Sequence, residues 1–238
     1  MTGKNSSVYR EFIRTVIVAC ALSFTIRTFF YEPFNIPSGS MIPTLLVGDY
    51  LFVSKASYGY SLYSIPIINR RIFFIQPKLG DVVVFRLASD NKTNYIKRIV
   101  GLPGDDIQVK NGILHINGEP VKRRRIKNFN FENDKESSTQ FIETLPNGRE
   151  HRIIEYSDNN SADNTPIYHV PAKHYFAMGD NRDNSQDSRF SEVGTISEEN
   201  LVGRADILFF SHSEQAKLWE IWKWPFVIRY SRILEKIE

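Results

Sequence analysis

Serine, glycine and proline are concentrated in one short stretch of this 238-residue chain, residues 35–49, which reads NIPSGSMIPTLLVGD. A serine beside a glycine can present a reactive hydroxyl, although these residues also form ordinary turns. The Gly-x-Ser-x-Gly nucleophile elbow is not satisfied, because Gly39 directly precedes Ser40 and Pro43 follows it. Ser40 is therefore a candidate nucleophile that needs a base from elsewhere in the chain.

Histidine is the first type of base to consider. The five histidines are His115, His151, His169, His174 and His212. None has the neighbouring acid or glycine that marks a triad, and His174, just before YFAMGD, is the best placed of them. A Ser-His-Asp mechanism stays open, because triad members need not be close in sequence.

Lysine is the better candidate base. Lys97 lies in TNYIKRIVGLPGDD, where strand alternation puts it on one face with Tyr95 and Ile99. If Lys97 is buried, desolvation lowers its pKa and leaves part of it neutral near pH 7, able to take a proton from a serine hydroxyl. Arg98 stays protonated and suits a structural ion pair. The alternative for Lys97 is an ordinary solvated strand lysine.

A third stretch, GDNRDNSQDSR (179–189), combines three aspartates, two arginines and two serines. It resembles a calcium loop only superficially, because Arg182 or Ser188 would occupy a position that needs a ligand or a glycine. Asp–Arg pairs that hold a serine in place explain the composition better, and such a loop could orient a buried lysine. No metal site is expected, since the chain also lacks His-Glu-x-x-His and any cysteine pair.

The element before the serine stretch is the apolar run VYREFIRTVIVACALSFTIRTFFYEPF, which contains the only cysteine of the chain, Cys20. Its uncharged centre covers only residues 15–26, but Arg14 and Arg27 can snorkel and extend the span to residues 12–31. We therefore predict one membrane-spanning helix.

Charge predicts the orientation of this helix. Lys4, Arg10 and Arg14 precede the span, whereas Arg27 and Glu32 offset each other after it, so the N-terminus is expected in the cytoplasm and the rest of the chain outside. A cleaved secretory signal fits less well, because bulky residues stand where a small-residue cleavage site would be. A helix of a soluble core would seldom carry arginine at both ends.

Beyond the anchor, short β-branched or aromatic runs such as GDVVVFRLAS and LVGRADILFFS are separated by turn residues. VKNGILHINGEPV contains two Asn-Gly pairs, each favouring a two-residue hairpin. The pattern predicts a mainly β protein with an antiparallel, barrel-like core. Residues 122–170 are polar and rich in turn residues, which predicts an inserted extra β subdomain.

The predicted organisation has six parts. They are a cytoplasmic tail (1–11), the anchor (12–31), the first part of the β core (32–121), the insertion (122–170), the second part of the core (171–212) and an aromatic, basic segment (213–238). Three tryptophans with interleaved lysine and arginine suit this last segment to a membrane interface, with a helix packed on the β core as the alternative. The net charge of +3 is no argument for a nucleic-acid partner.

Four stretches together resemble the motifs of bacterial type I signal peptidases (leader peptidases). In chain order they are PSGSMIPTLLVGD, GDVVVF, YIKRIVGLPGD and GDNRDNSQDSR, and they span roughly residues 31–210. The resemblance implies a membrane-bound serine endopeptidase that cuts exported preproteins after small residues, with a β-rich core, a groove facing the membrane and no cofactor. The chain differs from larger relatives in having one anchor and no cysteine pair in the extracytoplasmic domain.

The resemblance also implies a Ser-Lys dyad. Ser40 would be the nucleophile and Lys97 the general base. Ser38 and the backbone N–H of Ser40 would form the oxyanion hole. Ser185 would hydrogen-bond to the lysine and orient it.

Further residues follow from the same resemblance. Asp187 and Arg189 would brace the loop 179–189, and Asp180 would pair with Arg98. The residues at the apolar substrate-binding positions are Phe34, Ile36, Met41, Val84 and Ile96. Ordinary core packing is the alternative for each of these five.

The expected partners are exported preproteins and membrane lipid, with no nucleic acid, and the oligomeric state is open. The expected location is the bacterial cytoplasmic (inner) membrane, crossed once, with the catalytic domain on the extracytoplasmic side. Two other functions are compatible with part of this pattern. A self-cleaving repressor or mutagenesis protein uses a Ser-Lys dyad on a related β core but is soluble, and a membrane-anchored binding module would tolerate changes of Ser40.

Overall fold

The computed structural model describes residues 3–61, 63, 71–130, 137–157, 160–213 and 220–237. Within these ranges the protein is mainly β, which confirms the predicted fold class. The helices are α1 (Gly3–Phe29) and α2 (Trp224–Val227). The strands are β1 (Tyr31–Asn35), β2 (Asp49–Ser54), β3 (Val82–Arg86), β4 (Asn94–Gly101), β5 (Asp106–Lys110), β6 (Ile113–Ile116), β7 (Glu119–Pro120), β8 (Lys122–Arg125), β9 (Phe129–Asn130), β10 (Ser137–Thr144), β11 (Glu150–Glu155), β12 (Tyr168–His169), β13 (His174–Met178), β14 (Ile196–Ser197) and β15 (Leu201–Ser211).

The main sheet has seven antiparallel strands in the order β1-β2-β15-β3-β4-β13-β14. Strands distant in sequence are neighbours here, since β15 lies between β2 and β3. A barrel closes only when its first and last strands hydrogen-bond. Among the described strands β1 and β14 stay at opposite edges, so this sheet is open rather than a closed barrel.

The two predicted Asn-Gly hairpins are confirmed. Asn111 and Gly112 both have positive φ (49° and 72°) between β5 and β6, and Asn117 and Gly118 (54° and 84°) between β6 and β7. Positive φ at both central residues is the geometry of the type I′ turn, which matches the twist of the flanking strands. These hairpins and β12 form a second sheet.

A third antiparallel sheet, ordered β11-β10-β8 with β9 beside β10, comes from the segment predicted as the insertion. Its edge strand β11 is bridged to the loop 179–189, where Ile154 faces Asn181. This sheet therefore contacts the loop that the sequence singled out for its aspartates and arginines.

Helix α1 begins before the predicted span and ends two residues before its expected end. Its stretch Val8–Phe29 is long and apolar enough to cross a membrane, and none of its side chains is buried against the protein. Strand β1 starts two residues after the helix, at Tyr31. The anchor thus leads directly into the strand that precedes the serine stretch.

The serine stretch rests on an apolar core beneath the main sheet. Met41 and Leu45 are fully buried there, together with Leu51 of β2 and Val84 of β3. Burying each such side chain contributes roughly 1.5–3 kcal/mol. This packing holds the turn around Ser40 against the strands that carry the rest of the site.

The described part of the C-terminal segment, residues 220–237, folds back onto β15 and contains the four-residue helix α2 and two short 3₁₀ turns. The backbone N–H of Leu208 donates to the backbone carbonyl of Glu235, and that of Ile237 to the backbone carbonyl of Asp206. The Arg232 guanidinium pairs with the buried carboxylate of Asp49. Trp222 and Phe226 remain exposed, by 67% and 89%. The proposed contact of this segment with a membrane stays a prediction, and residues 214–219 lie outside the described part.

Candidate active site

Ser40 lies in a single 3₁₀ turn, Gly39–Met41, five residues after β1. The flanking residues fix this turn, because Met41 is fully buried and its carbonyl accepts from the backbone N–H of Leu45 at 2.9 Å. Ser40 itself is only half-buried. Its hydroxyl consequently lies at the surface of a groove, on a turn that is anchored by the buried Met41.

Lys97 approaches this hydroxyl from β4, where it is paired in register with Val83 of β3. Its side chain is buried, with 3% of the residue exposed, and Nζ lies 2.7 Å from Ser40 Oγ. The two residues are 57 positions apart in the chain. This distance is that of a strong hydrogen bond and allows direct proton transfer.

The pKa of Lys97 suits it to act as a base. Burial lowers the pKa from 10.5 to about 8, and the carboxylates of Asp187 and Asp180 limit that fall. At such a pKa roughly one molecule in ten carries a neutral amine at pH 7. A buried lysine of this kind can accept a proton from Ser40 at physiological pH.

Asp187 and Arg189 form a buried ion pair within the loop 179–189. Arg189 Nε lies 2.8 Å from Asp187 Oδ1 and Nη2 lies 2.9 Å from Oδ2, while Oδ2 also accepts from the backbone N–H of Gly179 at 2.9 Å. Burial raises the pKa of Asp187, but the charge of Arg189 outweighs it and the net pKa lies below its ordinary value. The pair therefore stays charged and ties the two ends of the loop together.

Arg98 and Asp180 form a second, fully buried pair on the other side of β4. Arg98 Nε lies 2.9 Å from Asp180 Oδ1, and Nη2 lies 2.8 Å from Oδ2. The Thr44 hydroxyl donates to Asp180, and Arg98 Nη1 donates to the Gly80 carbonyl at 2.9 Å. This bidentate ion pair anchors the start of the loop to β4.

Asn181, which the sequence analysis did not single out, connects the loop to the nucleophile. Its backbone N–H donates to the Ser40 carbonyl and its side-chain amide donates to the Gly39 carbonyl, both at 3.1 Å. The side chain is completely buried. Its place in the GDNRDNSQDSR stretch was visible in the sequence, but its target lies about 140 positions away.

Gly179 leaves room for this contact. A Cβ at position 179 would lie 2.5 Å from the Ser40 carbonyl oxygen and 2.2 Å from Ser185 Oγ. Both distances are far below van der Waals contact. The loop can approach the serine turn this closely only because residue 179 has no side chain.

The position of Ser185 differs from the expectation. Its buried hydroxyl interacts with the carboxylate of Asp187, whose pKa it helps to lower, and the predicted hydrogen bond to Lys97 is not formed in this structure. The reason is geometric, because Ser185 Oγ faces the backbone at Gly179. The hydrogen bond of the Lys97 amine goes to Ser40 instead.

A groove of about 530 Å³ runs beside the two candidate catalytic residues. Phe34, Ile36, Val84 and Ile96, four of the five expected substrate-binding residues, line it. Met41 does not line the groove. It is buried in the core beneath, because the turn directs its side chain inward.

The expected oxyanion-hole residue Ser38 and several residues that the sequence did not assign to the groove complete its walls. Ser38 is exposed and lines the groove next to Ser40, and Tyr95, Asn184 and Gln186 form part of the same walls. None of the five histidines, all of which are described, lines it. His174 instead lies at the start of β13, where its Nδ1 is 3.0 Å from the Ala172 carbonyl.

The similarity of this chain to known proteins extends over most of its length. Residues 9–210 match the family described as signal peptidase, peptidase S26. The chain is 40% identical to signal peptidase I of Rickettsia typhi over 222 residues, which cover 88% of this chain and 83% of that protein. Signal peptidase I of Rickettsia prowazekii is 39% identical over 221 residues, with the same coverage.

Solved structures are also similar to this chain. A signal peptidase I from Enterococcus faecalis V583 is 22% identical, with a TM-score of 0.33. The match covers 55% of this chain and 97% of that one.

Proposed function

This chain belongs to the signal peptidases of the peptidase S26 family and is a serine endopeptidase, and we propose that it removes signal peptides from exported preproteins with Ser40 as nucleophile and Lys97 as general base. The observation that carries the proposal is the 2.7 Å contact between Lys97 Nζ and Ser40 Oγ at the wall of the groove. The family match indicates that the enzyme hydrolyses a peptide bond, and this contact would let Lys97 activate the Ser40 hydroxyl for that reaction.

Acylation is the first chemical step. Neutral Lys97 takes the proton of Ser40 Oγ as the oxygen attacks the carbonyl carbon of the scissile peptide bond. Ser38 and the backbone N–H of Ser40, next to the attacking oxygen, would donate to the developing oxyanion. The protonated lysine then gives its proton to the departing amine, which becomes the N-terminus of the mature protein.

Deacylation completes the cycle. The signal peptide is now an ester of Ser40, and Lys97 is neutral again. Lys97 takes a proton from a water molecule that attacks the ester carbonyl, and returns that proton to Ser40 Oγ as the C–O bond breaks. The free signal peptide leaves with a new carboxyl group, which releases its proton to water, and both side chains regain their starting protonation states.

The walls of the groove support a preference for small residues before the cut. Ile36 and Val84 are almost fully buried, so they present only limited apolar surface, while Phe34 and Ile96 are more open. Strands β1, β3 and β4 carry Phe34, Val84 and Ile96, and Ile36 directly follows β1. Pockets between them would accept alanine-sized side chains and exclude larger ones.

The proposed location is the bacterial inner membrane, with the N-terminus in the cytoplasm and the β domain outside. Two observations support it: the stretch Val8–Phe29 is a candidate span, and Lys4, Arg10 and Arg14 all lie on the N-terminal side of its uncharged centre, residues 15–26. Strand β1 follows the helix at once, which keeps the groove near the membrane surface. A signal peptide held in the bilayer would then meet Ser40 at its extracytoplasmic end.

Cleavage of a purified preprotein by the full-length protein in detergent tests the proposal. Wild type is expected to cut once after a small residue, with the product mass giving the bond, whereas Ser40→Ala and Lys97→Ala are expected to lose at least about 10³-fold in kcat/KM. Lys55→Gln is the matched control, because Lys55 is also buried but pairs with Glu32 at 2.9 Å. Full activity in Lys97→Ala would disprove the dyad, and an inactive wild type would disprove the proposed function.

A further inference from the structure

A buried ion pair joins the inserted strands to the loop 179–189. Glu143 lies on β10, and its carboxylate accepts from both terminal nitrogens of the Arg182 guanidinium, with 3.0 Å between Oε1 and Nη1. The two side chains are 1% and 3% exposed. Burial raises the pKa of Glu143, but Arg182 outweighs that effect and the net pKa lies well below its ordinary range.

His151 of β11 completes this cluster. Its Nε2 lies 3.2 Å from Glu143 Oε2. Burial, assisted by the positive charge of Arg98, lowers the pKa of His151, so the imidazole is neutral at physiological pH. Arg182 is consequently the cation that balances the charge of Glu143.

The backbone on either side of Asn181 is tied to the same inserted sheet. The N–H of Arg182 donates to the Ile154 carbonyl at 3.0 Å, and the N–H of Ile154 donates to the Asp180 carbonyl at 2.9 Å. Asn181 lies between these two hydrogen bonds and itself donates to the carbonyls of Gly39 and Ser40. The inserted sheet therefore determines where Asn181 meets the serine turn.

Arg182 also supports the opposite side of the loop. Its backbone carbonyl accepts from Arg189 Nη2 at 2.6 Å, and the Arg189 guanidinium pairs with Asp187. The negative charge of Asp187 acts on the amine of Lys97. One residue, held in place by Glu143, thus connects to both halves of the dyad.

We propose that Glu143 is a positioning residue for the peptidase reaction, acting through Arg182 and Asn181 on the Ser40 turn. The inference rests on the function proposed above. Glu143 touches neither the groove nor the reacting atoms, so its loss would disturb the alignment of the nucleophile while leaving the substrate-binding walls of β1, β3 and β4 in place. A misalignment of about 1 Å can cost on the order of 10²-fold in rate.

The test measures kcat and KM separately for full-length variants in detergent with one purified preprotein, with kcat expressed per folded enzyme molecule. For Glu143→Ala, kcat per folded molecule is expected to fall on the order of 10²-fold while KM stays within about twofold. Glu143→Gln keeps the volume and one acceptor oxygen, so its kcat should fall less. If Glu143→Ala does not fold, Glu143→Gln carries the test through the same split between kcat and KM.

A double variant tests the pairing itself. Glu143→Gln together with Arg182→Gln replaces the ion pair by two amides, so neither buried charge is left unpaired. Its kcat should exceed that of Arg182→Gln alone. A double variant as slow as the product of the two single effects would overturn the route through Arg182.

Arg149→Gln is the matched control for stability. Arg149 directly precedes β11 and pairs with the buried Asp81 at 2.8 Å, away from the loop 179–189. It should lower the melting temperature and leave kcat per folded molecule unchanged. An active wild type with a normal kcat in both Glu143 variants, or an equal loss in Arg149→Gln, would overturn the positioning role alone, whereas an inactive wild type would overturn the proposed function as well.

Discussion

Lys97 and Arg98 are adjacent on β4 and both are buried, yet their side chains lie in different electrostatic surroundings on the two sides of the strand. The amine of Lys97 faces the Ser40 hydroxyl and forms no ion pair among the described residues. The guanidinium of Arg98 forms a bidentate ion pair with Asp180 and also donates to the Gly80 carbonyl. Both residues are buried, with 3% of Lys97 and 0% of Arg98 exposed, so the main difference between them is the pairing.

This difference separates a reactive cation from a structural one. Burial without a bonded carboxylate lowers the pKa of Lys97 to about 8, so the amine can lose its proton. Arg98, in contrast, is buried against the carboxylate of Asp180. Burial raises the pKa of Asp180, but the charge of Arg98 outweighs this effect and the net pKa is lowered, so Asp180 stays charged. The strand alternation that sends the two side chains to opposite faces is therefore what allows one strand to carry both roles.

The largest expected effect is on stability, from removal of the paired cation. Arg98→Met leaves the carboxylate of Asp180 buried and unpaired, which should lower the free energy of unfolding by about 3–5 kcal/mol. Lys97→Met removes an unpaired buried amine and should not lower the stability at pH 7. Urea unfolding of both variants gives the comparison, and equal destabilisation by the two substitutions would contradict it.

The two sides meet at Gly179, where a substitution should affect catalysis next most strongly. In Gly179→Ala the new methyl group would press on the Ser40 carbonyl and on Ser185, so the loop must move away from the serine turn. We expect kcat to fall on the order of 10²-fold. Gly104→Ala is a suitable control, since nothing lies within 4 Å of its Cβ position. A fully active Gly179→Ala would show that this close approach is unimportant.

The smallest effect, about tenfold per pH unit, comes from titration of Lys97. Only the neutral amine accepts a proton, so below its pKa of about 8 the cleavage rate should rise about tenfold for each unit of pH and level off above it. Single-turnover rates between pH 5.5 and 10 in one detergent measure this profile. A rate that is constant or falls as the pH rises would assign the proton transfer to another group.

Local sequence signals explain how much of the fold was predictable. The apolar run predicted a candidate span because length and hydropathy are properties of one segment. The Asn-Gly pairs predicted two hairpins because a type I′ turn depends on its own two residues. Barrel closure was not predictable in this way, since it depends on whether two edge strands meet.

The same distinction between local signals and distant contacts applies to the residues of the site. Ser40 and Lys97 stood out through their motifs, and the structure brings them to hydrogen-bond distance. The contacts of Ser185, Met41 and Asn181 were beyond the reach of sequence patterns. Each depends on which neighbour a turn directs the side chain toward, and for Asn181 that neighbour is distant in the chain.

The sequence by itself determined the mainly β class, the apolar anchor segment and the identity of a serine, a lysine and an aspartate-rich loop as the chemical groups. Only the tertiary structure decided that Arg98 is paired with a carboxylate while Lys97 contacts a hydroxyl, and that Glu143 of the third sheet pairs with Arg182. The physical reason is that a pKa depends on the charges and solvent around a group in three dimensions. Those surroundings are assembled from residues far apart in the chain, so no local pattern encodes them.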